Sequence, residues 1–239
     1  MTIIDYGFSS EAWANAVPLI EQMIEQRGFR RVIEIGGGAN PTLSLDFVAR
    51  HGLDYALLDI SQAELDKAPE GYVKILADIS AAEFAAQGGY DFAFSRMLAE
   101  HVSSGARFHR NVRALLRDGG VAFHFFPTLF APPFVANYLL PEALAERLLH
   151  FLQPGREKSG KLGKFPGRYS WCRGPLKSQI KRFEGIGFAV EKYSGFFGHE
   201  PYYRKIPLLH RLHLRLCAWL QRHPVAALTS FAQVTLVKK

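Results

Sequence analysis

Three carboxylates and one glycine run carry the spacing most suited to chemistry. Glu34 closes an apolar run and leads into Gly36-Gly37-Gly38, and Asp59 and Asp78 each end a further apolar run. A glycine turn lets backbone come against a ligand, and a carboxylate at a strand end can accept from hydroxyl or amino donors of a nucleoside. If Gly36 and Gly38 opened a dinucleotide fingerprint, a third glycine would fall at position 41, where Pro41 stands. A pyrophosphate loop is therefore disfavoured, and with it a nicotinamide dinucleotide. Two histidines, His101 and His124, follow or lie within later apolar runs and are the candidates for moving a proton.

The elements that must hold these residues alternate. Strands are expected at Arg31–Ile35, Tyr55–Asp59, Tyr72–Asp78, Tyr90–Ser95 and Val121–Phe126. Helices are expected at Pro41–His51, Ser61–Lys67, Ala81–Ala86 and Ala106–Leu116. Ahead of them, Ser9 or Ser10 with Glu11 starts a covering helix in which Trp13, Val17, Ile20 and Ile24 recur at helical spacing. The alternation predicts an α/β, Rossmann-like, doubly wound sheet of seven mostly parallel strands, with an insertion after strand five and a helix between the last two strands. A single domain is expected over 1–239, made of a covering segment (1–30), a core (31–126), an insertion (127–175) and a C-terminal part (176–239). Within the insertion Pro141–Leu152 reads as a helix, and Gln153–Pro175, rich in Gly, Lys and Arg, as a substrate loop or closing lid. The C-terminal part should hold a helix at Leu176–Phe183 and strands at Phe188–Tyr193 and Phe231–Val237.

Charge is split along the chain. Residues 1–150 carry 12 Lys+Arg against 18 Asp+Glu, while residues 151–239 carry 17 against 4, so a net +7 chain has an acidic front and a strongly basic last third. A basic third attracts anionic partners such as lipid head groups, nucleotide-linked sugars or nucleic acid, or is simply a solvated surface. Pro207–Arg222 is its most patterned part. Arg211, Arg215 and Arg222 share one face and Leu209, Leu212, Leu216 and Leu220 another. Such a helix can lie on an anionic membrane, although capping a soluble core is the commoner use. Two distant cysteines, Cys172 and Cys217, signal neither a disulfide framework nor a zinc site. Without an apolar leader or a span of about 20 uncharged residues, the expectation is a cytoplasmic protein, at most peripheral to the inner face of a membrane.

Placed on these elements, the motifs resemble those of class I S-adenosylmethionine-dependent methyltransferases over roughly residues 31 to 126. Glu34-Ile35-Gly36-Gly37-Gly38 is similar to the family's first motif, Leu57-Leu58-Asp59 to the second strand, and Ala77-Asp78-Ile79 to the segment after the third. Tyr90 to Met97 with Glu100-His101-Val102 resembles the fourth-strand motif, and Leu115 to Gly120 the turn before strand five. The resemblance implies S-adenosylmethionine as cofactor, with Glu34, Gly36, Gly37 and Gly38 at its methionine end. It further implies Asp59 with Ile60 at the ribose, Asp78 and Ile79 at the adenine, and Ser95 and Arg96 at the fourth strand end. Asn40 stands where a further glycine is common, and Asp118 where proline is frequent.

The same strand end narrows the reaction. Ser95-Arg96-Met97 lacks the Asn/Asp-Pro-Pro-aromatic signature of base amine methylation, has no cysteine to attack a pyrimidine, and no Asp/Asn cluster for a divalent metal follows it. The expected activity is metal-independent O-methylation of a small-molecule, glycan-precursor or lipid-like acceptor. An RNA methyltransferase and a non-catalytic cofactor-binding or scaffold protein are the alternatives. His101 is either the base for an alcohol acceptor or a structural partner in the Glu-His pair. His124, between Phe123 and Phe125, is either a site residue or a satisfied core histidine. The acceptor is expected among Phe126, Phe130, Phe134, Tyr138, Phe165, Arg168, Tyr169, Trp171 and Arg173, with Arg168 and Arg173 suited to clamp phosphate or carboxylate.

Overall fold

A computed structural model describes residues 1–85, 87–131, 135, 167–203 and 206–239. The helix expected at Pro141–Leu152, the candidate acceptor residues Phe134, Tyr138 and Phe165, and most of the expected lid lie outside the described residues.

All seven expected strands are present, joined by an eighth. In chain order they are β1 (Ile3–Phe8), β2 (Arg31–Ile35), β3 (Asp54–Asp59), β4 (Val73–Leu76), β5 (Tyr90–Arg96), β6 (Leu116–Pro127), β7 (Phe188–Phe197) and β8 (Phe231–Lys238). They form one sheet in the order β4-β3-β2-β5-β6-β8-β7-β1, parallel except for β8, which runs antiparallel to both β6 and β7. The unexpected β1 pairs in parallel with β7, from Ile3 opposite Lys192 to Phe8 opposite Phe197. Its sequence gave little alternation to read, because Ile3, Ile4 and Asp5 are all exposed at the sheet edge. Phe92, Phe94, Phe123 and Phe125, on the central strands, are fully buried between the layers.

The helices are α1 (Ser9–Arg27), α2 (Leu45–His51), α3 (Gln62–Leu65), α4 (Gly105–Leu115), α5 (Lys177–Ile186), α6 (Glu200–Tyr203) and α7 (Pro207–Arg222). α1 begins where expected, with the Glu11 carboxylate accepting from Phe8 N at 3.0 Å, and ends at Gly28 in the left-handed region. Its buried stripe is Ala12, Ala16, Ile20, Met23 and Ile24, whereas Trp13 stands outside it. α2 starts later than Pro41. Thr42 spends its N–H and hydroxyl on Glu34, and Ser44 then caps the helix by accepting from Phe47 N at 3.1 Å.

The helix expected at Ala81–Ala86 does not form in the residues described there. The carbonyls that would start it are taken by α4: Asn111 Nδ2 donates to those of Ile79 and Ala81, and Arg107 Nε to that of Ser80. Tertiary bonds here override a weak local preference.

From β2 the chain steps outward through β3 to β4 and then returns to place β5 on the other side of β2. Strand order therefore reverses between β2 and β5, and a crevice opens at the carboxyl ends of β2, β3 and β5, where sheets of this kind bind ligands.

Candidate active site

A cavity of about 750 Å³ occupies that crevice, within the usual size for a small-molecule site. Of the residues expected to bind cofactor or acceptor, Gly36, Gly38, Asp59, Ile60, Asp78, Ile79, Arg96, His101 and Arg168 line it.

The glycine loop is held from behind. Glu34, 3% exposed, accepts from Thr42 N at 2.8 Å and from the hydroxyls of Thr42 and Tyr55. Burial pushes its carboxyl up, against the pull of those hydrogen bonds. It does not face the cavity. Gly37 lies directly on it, where a Cβ would come 2.7 Å from the Glu34 carboxyl carbon. Glu34 and Gly37 thus shape the loop, while Gly36 and Gly38 present it. Gly36 has φ +80°, and a Cβ on Gly38 would stand 2.7 Å from Asp59 Oδ2. Only a residue without a side chain lets loop and acid approach this closely.

Asp59 Oδ1 accepts from Ser61 N at 2.9 Å, which fixes the carboxylate at the end of β3 with Oδ2 towards Gly38. Ile60 beside it is 61% exposed, an apolar side chain held at the cavity wall. Asp78 Oδ1 accepts from Ser80 N at 2.7 Å and Ser80 Oγ at 2.8 Å, and Ile79 is buried next to it. Arg96, at the end of β5, donates from Nη1 to Thr42 Oγ1 at 3.3 Å, and its buried Nε makes no hydrogen bond among the described residues. An unsatisfied buried donor beside a glycine loop is suited to a carboxylate.

His101, Glu100, Trp13 and Arg168 also line the cavity. His101 Nε2 lies 3.5 Å from Glu100 Oε1. Burial pushes the Glu100 carboxyl up to about 8, so it is mostly uncharged at pH 7, and its Oε2 has no hydrogen-bond partner among the described residues. The Glu100 carbonyl accepts from both Arg168 N at 2.7 Å and Tyr169 N at 2.9 Å, which ties the returning end of the insertion to the cavity rim. The indole of Trp13 rests edge-on against Phe125 at 5.2 Å and Phe231 at 5.7 Å between ring centres, leaving it 47% exposed at the opening.

The remaining expected site residues lie elsewhere. His124 is fully buried in β6, with Nδ1 2.8 Å from Ser95 Oγ and its ring packed against Phe108 and His109. Burial drives its pKa down to about 3, and neither His124 nor Ser95 lines the cavity. His124 is thus a core residue, with its buried Nε2 lacking a hydrogen-bond partner among the described residues. Phe126 is 1% exposed within the sheet. Trp171 stacks on His109 and lies under the Arg182 guanidinium, and Gly105 makes room for it, since a Cβ there would come 2.7 Å from the indole. Arg173 donates to the carbonyls of Tyr169 and Cys172, both at 2.9 Å, and sits over the Phe130 ring. Tyr169 is buried. Trp171, Arg173 and Tyr169 brace the insertion rather than line the cavity.

Sequence reasoning missed Trp13, Glu100 and Met97 as cavity residues. Trp13 was legible only as one apolar position of a helix, and Glu100 only as half of the Glu-His pair. Met97 carried no signal, yet it is one of three non-glycine residues with positive φ among those described, at +52°, with Tyr169 at +48° and Trp171 at +65°. Such backbone costs on the order of 1–3 kcal/mol each and gathers where surrounding structure holds a site in shape.

This fold agrees with known proteins. Residues 9–168 match the family model described as a methyltransferase domain, and the chain belongs to that family, in which S-adenosylmethionine is the methyl donor. Among solved structures, an S-adenosylmethionine-dependent methyltransferase from Mesorhizobium loti is 21% identical, with 92% of this chain and 96% of that one covered at a TM-score of 0.51. Another from Archaeoglobus fulgidus is 12% identical, covering 95% and 97%, at 0.52. The geranyl diphosphate C-methyltransferase of Streptomyces coelicolor A3(2) is 9% identical, covering 93% and 79%, at 0.56. These likenesses concern the fold. A search of the curated proteins found no match.

Proposed function

We propose that the protein methylates an oxygen atom of a small acceptor, a glycan precursor or lipid-like molecule, without a metal, in this cavity. The observation that carries the reading is that one crevice is lined both by a glycine loop with strand-end carboxylates and by a histidine with an exposed arginine.

The residues of the first group fit the donor. Gly36 and Gly38 leave a cradle that a Cβ would fill, and Arg96 carries an orphaned Nε beside it. Those groups would hold the methionyl carboxylate, with Asp59 accepting from the ribose hydroxyls. Ile60 and Ile79 would flank the adenine, and Asp78 would take its amino group. When bound, S-adenosylmethionine supplies a methyl group made electrophilic by its positively charged sulfur. The chain's own part is to position and to dry the site. Trp13 and Leu98 wall it with apolar surface. His101 would take the acceptor hydroxyl proton at a ring nitrogen, oriented by Glu100. Arg168 at the mouth would hold an anionic group of the acceptor.

Turnover with candidate glycan-phosphate and lipid-extract acceptors, read as S-adenosylhomocysteine release and as the methyl resonance of the product, tests this. A methoxy product is expected. His101→Ala should lower kcat by about 10²-fold or more while S-adenosylhomocysteine affinity is unchanged. A product methylated on nitrogen or carbon would overturn the oxygen assignment, and an unchanged kcat in the variant would remove His101 from the proton path.

A further inference from the structure

α7 could turn its leucine face to a core or to a membrane surface, and of Leu209, Leu212, Leu216 and Leu220 only Leu220 is buried. Its buried residues are Cys217 and Leu220, which rest with Phe197 against Tyr6 and Phe8, and His213 on the same side accepts from His199 N at 2.9 Å. Leu208, Leu212, Leu216 and Trp219 are 68%, 53%, 50% and 53% exposed. Nine of the eighteen large apolar side chains exposed among the described residues fall between Ile206 and Leu228, so the exposure is concentrated rather than scattered. Scattered apolar side chains are ordinary on a soluble surface, but a contiguous group marks an interaction site.

The arrangement of charge says what covers it. Residues four apart share a helix face, so Leu208, Leu212 and Leu216 form one row with Trp219 beside them, and Arg211, Arg215 and Arg222 form the adjoining row. All three arginines are exposed. No acid follows Glu200 anywhere in the sequence, so nothing carboxylic on the helix or beyond it offsets the arginines. Glu200 itself faces His210, at 3.7 Å, on the other side. No helix among the described residues is long and apolar enough to cross a membrane.

We infer that α7 is a docking helix for the surface of an anionic phospholipid bilayer, lying in the plane of the interface with its leucine row among the acyl chains and its arginines at the head-group phosphates. It leaves the sheet from the carboxyl end of β7, which runs parallel to β6, so it starts from the edge of the sheet where the cavity opens. Docking brings that edge to the bilayer. Resting on the methyl-transfer reading above, this makes the acceptor an amphiphile presented at the lipid surface.

The full chain is sedimented at low salt with vesicles of phosphatidylcholine alone and with vesicles containing phosphatidylglycerol. S-adenosylhomocysteine affinity is measured in parallel as the check on folding. Binding to the phosphatidylglycerol vesicles is expected to exceed that to phosphatidylcholine at least tenfold. Leu212→Glu/Leu216→Glu and Arg211→Glu/Arg215→Glu should each weaken it at least tenfold with cofactor affinity intact. The inference is overturned by no sedimentation with anionic vesicles, or by equal partition of wild type and the leucine variant. A self-associated species that the leucine variant dissociates, without vesicle binding, also overturns it, since a second copy would then be the occupant. Failure to bind S-adenosylhomocysteine would sink the proposed seating of the donor and leave the vesicle result standing.

Discussion

The two sets of residues that line the cavity are built on different principles. The set proposed to hold the donor, the donor end, is made of strand ends and glycines. Gly36 and Gly38 bring backbone close without strain, Asp59 and Asp78 are each fixed by local bonds to the next turn, and Glu34 locks the loop from beneath. The set proposed to meet the acceptor, the acceptor end, is made of long-range contacts. A rim tied to the Glu100 carbonyl, a tryptophan from α1 and a methionine in left-handed backbone meet there from distant parts of the chain. A chemistry shared by many proteins can be written in local motifs, whereas recognition of one acceptor is written in how far-apart segments meet.

Breaking the donor end should give the largest effects. Gly38→Val puts a branched side chain where a Cβ would already stand 2.7 Å from Asp59 Oδ2 and 2.8 Å from Glu64 Cβ. S-adenosylhomocysteine affinity by calorimetry is expected to fall more than about a hundredfold, since both acids sit on packed elements. Asp59→Ala removes the proposed acceptor for the ribose hydroxyls together with the bond from Ser61 N. A hydrogen-bonded charge is worth about 2 kcal/mol, so a loss of a few tens-fold is expected, and an unchanged affinity would move the ribose away from β3.

The acceptor end should separate cleanly. Trp13→Ala and Arg168→Ala are expected to leave S-adenosylhomocysteine affinity within about twofold and to raise the acceptor KM roughly tenfold, the size of one lost charged or aromatic contact. If either variant weakened the cofactor as much as the acceptor, the division into two ends would fail.

The smallest effect lies outside both ends and sharpens the contrast with His101. His124 is buried neutral, with its pKa held near 3, against about 6.5 in an unfolded chain. The unfolded state therefore binds the extra proton as pH falls below 6.5, so stability is level above that pH and declines below it. At pH 5 the loss from this one imidazole is about 2 kcal/mol by linkage. His109, beside it and also depressed by burial, adds in the same direction. Urea midpoints at pH 7 and pH 5 read this, and His124→Phe should flatten the slope without changing cofactor affinity at pH 7.

How far the sequence foretold all this follows the same division. The order of β2 to β6 and the cavity positions of Gly36, Gly38, Asp59, Asp78, Arg96 and His101 were legible because each depends on a neighbouring turn. His124 and Trp171 were not, since an aromatic or imidazole ring reads alike whether it lines a pocket or fills a core. The inward face of α7 was left open for a related reason. Its leucine period is that of a core helix, and only the partners His199, Tyr6 and Phe8 decide that the Cys217 side turns inward. The missing helix after Asp78 was hidden too, because Asn111 claims its carbonyls from across the layer.

The pairing of β1 with β7 reaches beyond the finished molecule. Ile3 through Phe8 find their partners only in Lys192 through Phe197. At about 5–20 residues per second, a strand emerging from the ribosome waits roughly ten to forty seconds for a partner that far along the chain. The sheet centre can assemble meanwhile, but edge strand β1 can join only after β7 has been made. A segment made well before its partner is thus among the last to be placed, and during that interval it is a natural client for chaperones.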